Sequence, residues 1–326
     1  GSVFVFANIT DANAGDFHSF DWSATDNAIN GSEAVSGIYS FDPVDLTPGF
    51  YTVRVSVNDG IETVDSELML TVLSSPPVLN TADSDGDGIN NETEGFGDID
   101  SNGVADFLDA IQAGKILQQI TVTSDQFLIQ TEPGMKLSLG EVAFKAGQGR
   151  AMVTPAEIID YSSVINVAED TVENVGGYFD FMVSTMPVAG QSVQIVIPQM
   201  APMPKIPVYR KLTRAGWRDF VKDSNNTVAS AAGREGYCPP PGDSAYKTGL
   251  AQGHWCLQLT IQDGGPNDND GVANNRILVT GGVSRFLTDV NVTSGGGGGG
   301  SWHPIVPLMS LFIMLLFRNR QYLQRK

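Results

Sequence analysis

The sequence predicts a mainly β protein with two β-sandwich domains, an acidic segment between them and a single apolar helix at the C-terminus. Three observations lead to this prediction. Apolar and polar residues alternate in short runs over most of the 326 residues, and Gly, Pro, Asn and Asp separate these runs. Aspartate recurs at every second position from Asp83 to Asp87 and again at Asp98 and Asp100. A largely apolar segment, residues 302–317, follows a run of glycines.

The charge balance restricts the class of partner. The net charge is −18, although the last nine residues, 318–326, contain four basic side chains and no acidic one. Because phosphate binding needs a basic surface, this balance excludes a nucleic-acid partner. It suits an extracellular protein that holds cations.

Residues 1–75 predict the first β-sandwich. One face of the strand in "YTVRVSVNDG" is apolar, and its members are Tyr51, Val53, Val55 and Val57. The triplet Asn58-Asp59-Gly60 predicts a turn into the strand of "SELMLTVLSS". Trp22, in the earlier strand of "HSFDWSATD", is expected to fill the core.

The same residues resemble a known module. The segments "FDWSATDNAI", "PGFYTVRVSVND" and "ELMLTV" are similar to PKD or cadherin-like domains, although the glycine-aspartate core motif of PKD domains is absent. The resemblance implies an immunoglobulin-like sandwich that acts as a spacer or adhesion unit. No secretory signal peptide precedes the first strand, so we expect a trimmed or fragmentary N-terminus and do not assign the chain to the cytoplasm.

Residues 76–115 predict a linker followed by two calcium-binding loops. The paired prolines of "SSPPVLNTA" block a helix and favour an extended chain. The next stretch matches the calcium-loop pattern D-x-[DN]-x-[DN]-G-x5-E twice, fifteen residues apart. The expected ligands of the first loop are Asp83, Asp85, Asp87, the carbonyl of Ile89, Asn91 and Glu94. The expected ligands of the second loop are Asp98, Asp100, Asn102, the carbonyl of Val104, Asp106 and Asp109.

The chemistry of these loops points to calcium as the cofactor. Calcium takes six to eight oxygen ligands in flexible geometry, and alternate residues of a tight loop direct their oxygens inward. From Asp83 to Asp109 there are nine acidic residues and no basic one, so the segment repels itself unless cations bind. The string resembles thrombospondin type 3 repeats, which implies a calcium-stabilised rod or hinge between domains. A solvated acidic linker is the alternative.

Residues 116–293 predict a second β-sandwich, because short strands alternate with turn residues. The segments "GYFDFMVS", "GWRDFV" and "SAAGREGYCPPPGDSAYKTGLAQGHWCLQLTIQDGGPNDNDGVANN" resemble the choice-of-anchor U domain of bacterial surface proteins. That family lies just before C-terminal anchoring signals. The resemblance therefore implies a location in the bacterial envelope and no known catalysis.

The two cysteines, Cys238 and Cys256, lie close together in a turn-rich stretch. One interpretation is a disulfide formed in an oxidising compartment, which would stabilise the fold by about 3 kcal/mol. The other is a pair of buried free thiols. A zinc site needs further ligands, and the three histidines are scattered along the chain.

The loop "DGGPNDNDG" groups Asp263, Asn267, Asp268, Asn269 and Asp270. A further cation site is one interpretation. Because Asn, Asp and Gly also dominate turns for backbone reasons, an ordinary turn is the other.

The sequence lacks common catalytic motifs, which argues against an enzyme. Neither G-x-S-x-G nor H-E-x-x-H occurs, and no Walker-type phosphate loop is present. The carboxylates of the acidic segment stand at calcium-ligand spacing, where they would be ionised and coordinated instead of acting as an acid and a base.

The C-terminus predicts a membrane segment. Residues 302–317 would form a helix of about 24 Å, shorter than the hydrocarbon core of about 30 Å. The basic tail 318–326 is expected to stay in the cytoplasm, with the acidic body outside. The Gly-rich linker 294–301, the apolar segment and the basic end together resemble the GlyGly-CTERM sorting signal.

That resemblance implies cleavage by rhombosortase, a rhomboid-like intramembrane protease, followed by transfer to the cell surface. The expected processing region consists of Gly295, Gly296, Gly297, Gly298, Gly299, Gly300 and Ser301. A permanent tail anchor is the alternative.

The order of these parts predicts a non-catalytic, membrane-proximal stalk of a bacterial surface protein that adheres to or displays something. Its extracellular ligand is unknown. The alternative is the C-terminal targeting portion of a longer secreted enzyme whose catalytic domain lies upstream. A hydrolase motif in that upstream region would favour the alternative.

Overall fold

The computed structural model describes residues 1–286, apart from residues 10, 12, 14, 76 and 122–124. The described chain is mainly β, as predicted, and its strands pair antiparallel. Its helices are α1 (Asn91–Glu94), α2 (Glu141–Ala146) and α3 (Pro155–Val164). Two 3-10 turns span Pro43–Asp45 and Asp106–Leu108.

The first part of the chain contains two three-stranded sheets. Its strands are β1 (Val3–Phe6), β2 (Ser19–Asp21), β3 (Gly31–Val35), β4 (Ile38–Phe41), β5 (Gly49–Asn58) and β6 (Thr63–Val72). The sheet orders are β1-β4-β3 and β2-β5-β6. Tyr39 from the first sheet and Val53 and Val55 from the second belong to one core together with Trp22, which stacks on Tyr39. The alternation in "YTVRVSVNDG" predicted this packing.

The second part contains two larger sheets. Its strands are β7 (Ile116–Gln118), β8 (Leu128–Thr131), β9 (Lys136–Leu139), β10 (Met152–Val153), β11 (Glu173–Asn174), β12 (Tyr178–Ser184), β13 (Ser192–Pro198), β14 (Pro207–Thr213), β15 (Gly216–Asp219), β16 (Thr227–Ala231), β17 (Lys247–Thr248), β18 (Cys256–Gln262) and β19 (Ile277–Arg285). One sheet has the order β10-β12-β19-β14-β15, with β9 also on β12 and β11 also on β19. The other has the order β17-β16-β18-β13-β8-β7.

A single large core lies in this second part. Phe179 and Phe181 of β12 and Ile195 and Ile197 of β13 are fully buried in it. Because the two strands belong to different sheets, this core is that of a β-sandwich, as the turn spacing predicted.

Helix α2 departs from the expected pattern of strands. The run "MKLSLGEVAF" resembles one long strand, but β9 ends at Leu139 and α2 begins at Glu141. The break falls at Gly140, where an added Cβ atom would collide with the carboxylate of Asp180. Only glycine leaves room for that carboxylate, which accepts hydrogen bonds from the first turn of α2.

The disulfide is present. Cys238 and Cys256 are joined, with their Cα atoms 5.5 Å apart. Cys256 begins β18 and is fully buried, so the bond ties the loop after Tyr237 to the edge of the second core.

Among the described residues, no helix has the length and apolar character needed to cross a membrane. The predicted membrane segment 302–317, the processing region 295–301 and the basic tail 318–326 lie outside the described residues.

Candidate metal centre

The first acidic loop brings together three of the four carboxylates that the sequence pattern predicted as ligands. Carboxylate oxygens of Asp83, Asp85 and Asp87 lie within 4.8 Å of one another. Two oxygens that share one calcium ion at about 2.4 Å can be at most about 4.8 Å apart, so this grouping is close enough to hold one ion. Asp85 is completely buried, whereas Asp83 and Asp87 are exposed.

Backbone hydrogen bonds set the shape of this loop. Asp83 accepts from the N–H groups of Gly86 and Gly88 at 2.7 and 3.1 Å, and Asp87 accepts from that of Ile89 at 2.7 Å. Gly86 and Gly88 have φ values of 83° and 95°, which favour glycine. The tight turn therefore depends on both glycines, of which the pattern specifies Gly88.

Several buried oxygens of the acidic segment lack partners. Asp85 Oδ2, both carboxylate oxygens of Glu94 and Asp100 Oδ2 accept no hydrogen bond within the described part of the chain. An unpartnered buried oxygen is costly, and a bound cation would satisfy it. These oxygens belong to positions predicted to coordinate a metal.

Burial raises the pKa of Glu94 to about 7, and the charges of Asp85, Asp87, Asp83 and Asp106 act in the same direction. Burial likewise raises the pKa of Asp85. Burial and the neighbouring charges both disfavour the ionised form of each carboxylate, and the positive charge of a bound cation would offset both effects.

Asn91, one of the predicted ligands, makes two hydrogen bonds to Ser84 within the first loop. Its Oδ1 accepts from the Ser84 N–H at 2.9 Å, and its Nδ2 donates to Ser84 Oγ at 2.8 Å. Asn91 is buried and begins α1, so it holds the start of the first loop against this helix. The Ile89 side chain is 47% exposed, as expected where a residue would contribute only its carbonyl.

The second loop repeats the frame of the first. Asp98 accepts from the N–H groups of Asn102 and Gly103, both at 3.0 Å. The bond from Gly103 to Asp98 spans the same number of residues as the bond from Gly88 to Asp83 in the first loop. The two matches to the pattern therefore fold into similar turns.

The polar groups at the end of the second loop are more closely paired. Asn102 Nδ2 donates to Asp109 Oδ2 at 2.8 Å, and Asn102 is fully buried. Burial raises the pKa of Asp109 to about 6. Within the described residues, no three acidic side chains of the second loop come as close together as Asp83, Asp85 and Asp87 do in the first loop.

Asp106 lies between the two loops. Its Oδ1 accepts from the Ile99 N–H at 2.9 Å. Burial raises the pKa of both Glu94 and Asp98, and the charge of Asp106 acts in the same direction at each. The pattern assigns Asp106 to the second loop alone, whereas in the structure its charge acts on a carboxylate of each loop.

The second loop also packs against the second core, which differs from a free-standing rod. Val104 is 1% exposed and belongs to that core, and the Leu139 N–H donates to the Asn102 carbonyl at 2.8 Å. The neighbouring Gly103 lies against Leu139 of β9 and Phe144 of α2, and the Val104 side chain belongs to the core beside them.

A second acidic group was not predicted. Carboxylate oxygens of Asp11, Asp16 and Asp59 lie within 4.8 Å of one another. Asp11 also meets His18 Nε2 at 2.9 Å, which gives it a basic neighbour. Only the pairing of β2 with β5, Ser19 opposite Asn58, brings the first two near Asp59, so no local spacing could reveal the group.

The carboxylates of "DGGPNDNDG" serve the backbone. Asp263 accepts from the N–H groups of Gly190 and Asn275 at 2.8 and 2.9 Å, and Asp268 accepts from those of Gly264 and Leu278 at 2.9 and 3.0 Å. These bonds favour the turn interpretation of this loop over a cation site.

Comparison of the chain with known protein families, with characterised proteins and with solved structures gives no match. The resemblances described above therefore rest on the motifs alone, and the residues themselves carry the functional argument.

Proposed function

We propose that residues 83–109 bind two calcium ions, one in each loop, and that the ions fix the shape of this segment. The donor groups are carboxylates, amide oxygens and backbone carbonyls, the hard oxygen ligands that calcium prefers. Two divalent ions would offset four of the nine negative charges in the segment.

One observation carries this proposal. The buried Asp85 Oδ2 and the two buried Glu94 oxygens have no hydrogen-bond donor within the described residues, although they lie in the same acidic loop. A folded loop with three such oxygens is unfavourable without a cation and is satisfied by one.

Limited proteolysis of the full chain tests this proposal. With calcium, cleavage within residues 83–109 should be slow, and excess chelator should accelerate it. Magnesium at the same concentration is the control, because it demands a more rigid octahedral geometry and should protect less. Equal cleavage rates with calcium and with chelator would contradict the proposal.

The chain as a whole is proposed to be a non-catalytic, membrane-proximal stalk of a bacterial surface protein. The disulfide supports export, because such bonds persist in oxidising compartments. The acidic body and basic tail support an orientation with the body outside the cytoplasm. The Gly-rich linker supports processing at residues 295–301 by a rhombosortase-like protease before display at the surface.

Protease treatment of intact cells, followed by mapping of the C-terminal peptide, tests this second proposal. The body should be released from the cell surface, and the mature form should end within residues 295–301. A surface form that retains Lys326 would contradict processing and indicate a permanent anchor. A body that the protease reaches only after the cells are lysed would contradict surface display.

A further inference from the structure

The second acidic loop and the first sandwich contact the same aromatic side chain. Gly103 lies against Phe144 of α2, since a Cβ on Gly103 would be 3.5 Å from Phe144 Cδ2. On another side, the Phe50 ring of β5 meets the Phe144 ring edge to face, with centroids 6.3 Å apart. Phe144 is therefore shared between a candidate calcium loop and a neighbouring domain.

The loop is joined firmly to the structure around α2. The Leu139 N–H donates to the Asn102 carbonyl, and Gln118 Nε2 donates to the Leu108 carbonyl at 2.6 Å. Val104 fills a position in the second core. A change in the shape of this loop would therefore move the wall against which Phe144 rests.

One ion pair adds to the contact between the two sandwiches. Arg276, just before β19, lies 3.7 Å from Glu67 of β6, which also pairs with Arg54 at 3.1 Å. Glu67 thus has a basic partner within its own sheet. The Phe50–Phe144 contact is an apolar part of this junction, and Phe144 adjoins the second loop at Gly103.

Charge makes this arrangement sensitive to a cation. The second loop contains Asp98, Asp100, Asp106 and Asp109 without a basic residue, and Asp100 Oδ2 is buried without a donor in the described part of the chain. Without a cation these groups repel one another and favour an expanded loop. With one they are drawn together around it.

We propose that calcium binding to the second loop controls the docking of the first sandwich onto the second through Phe144. This inference rests on the proposed calcium function of the loops. Coupling between two sites is reciprocal, so docking at Phe50 must in turn raise the calcium affinity of the second loop. The first loop, whose grouped carboxylates are those of Asp83, Asp85 and Asp87, serves as the comparison.

Hydrogen exchange of the full chain, followed by mass spectrometry, measures the coupling at both sides of the contact. The peptides of interest cover residues 49–51 and α2. Chelation should accelerate exchange in both by about fivefold or more, the lower range of allosteric coupling. Asp100→Asn in saturating calcium should resemble the chelated protein at both peptides, whereas the matched variant Asp85→Asn, in the first loop, should resemble the wild type.

Phe50→Ala tests the reciprocal effect. It should weaken calcium binding at the second loop by about fivefold and leave the first loop unchanged, as measured by calorimetry. If calorimetry shows two bound ions but chelation leaves both peptides unchanged, the coupling is wrong and the calcium function stands. If no calcium binds, the proposed function fails and this inference fails with it.

Discussion

The carboxylate of Asp180, on β12, accepts a hydrogen bond from the backbone N–H of Ala143 in α2 at 2.9 Å. Its other oxygen accepts from Thr280 Oγ1 at 2.6 Å. The first N–H groups of a helix have no partner within it, and Gly140, which precedes α2, has no side chain to supply one. Asp180 therefore caps this helix from a strand distant in the chain.

Asp180 should make folding stability depend on pH. Burial raises its pKa to about 6 from 3.8, and the charge of Glu141 acts in the same direction. The folded state thus holds this proton more tightly than the unfolded state. The stabilisation that this proton gives the folded state is present in full below about pH 4 and is lost as the pH rises through 6. The free energy of unfolding falls by about 3 kcal/mol over this range.

Asp180→Asn removes this titration, so it isolates the effect. Between pH 4 and pH 7, the free energy of unfolding of the wild type should fall by about 3 kcal/mol relative to that of the variant. Urea denaturation in saturating calcium measures both. Parallel pH curves for the two proteins would show that Asp180 keeps an ordinary pKa.

Equivalent positions of the two acidic loops should respond differently to the same change. Val104 is 1% exposed in the second core, whereas Ile89, at the matching position of the first loop, is 47% exposed. Val104→Ala should destabilise the protein by about 2 kcal/mol, because it leaves a cavity. Ile89→Ala should change the stability by about 0.5 kcal/mol or less. Similar losses in thermal or urea denaturation would mean that the second loop does not share the core.

Removal of the disulfide should destabilise the second sandwich. The double variant Cys238→Ala, Cys256→Ala should lose about 3 kcal/mol in urea denaturation, since the unfolded chain regains the freedom that the bond restricts. The wild type with reductant is the control and should show the same loss. A midpoint that reductant does not change would contradict this role.

Local patterns predicted the strands well and the helices poorly. Period-two alternation identified β5, because Val53 and Val55 are buried on one face. Helix α3 was missed although its signal is local: Thr154 and Glu157 form a capping box around Pro155. Helix α2 had no such signal, because its capping group, Asp180, arrives from β12.

The candidate metal centre could likewise be predicted from the sequence only in part. The first loop could be predicted because its ligand spacing is short and its turns depend on Gly86 and Gly88. The burial of Val104 could not be predicted from the sequence, since it depends on where β9 and α2 lie. The position of Asp106 between the loops likewise requires the folded chain.

Counting bound calcium by native mass spectrometry of the full chain tests the central claim most directly. The wild type should carry two ions, and Asp85→Asn and Asp100→Asn should each carry one. Asp160→Asn, at an exposed position of α3, removes the same charge outside the loops and should keep two. A wild type without calcium, or loop variants that still carry two ions, would contradict the claim that residues 83–109 are a calcium-binding segment.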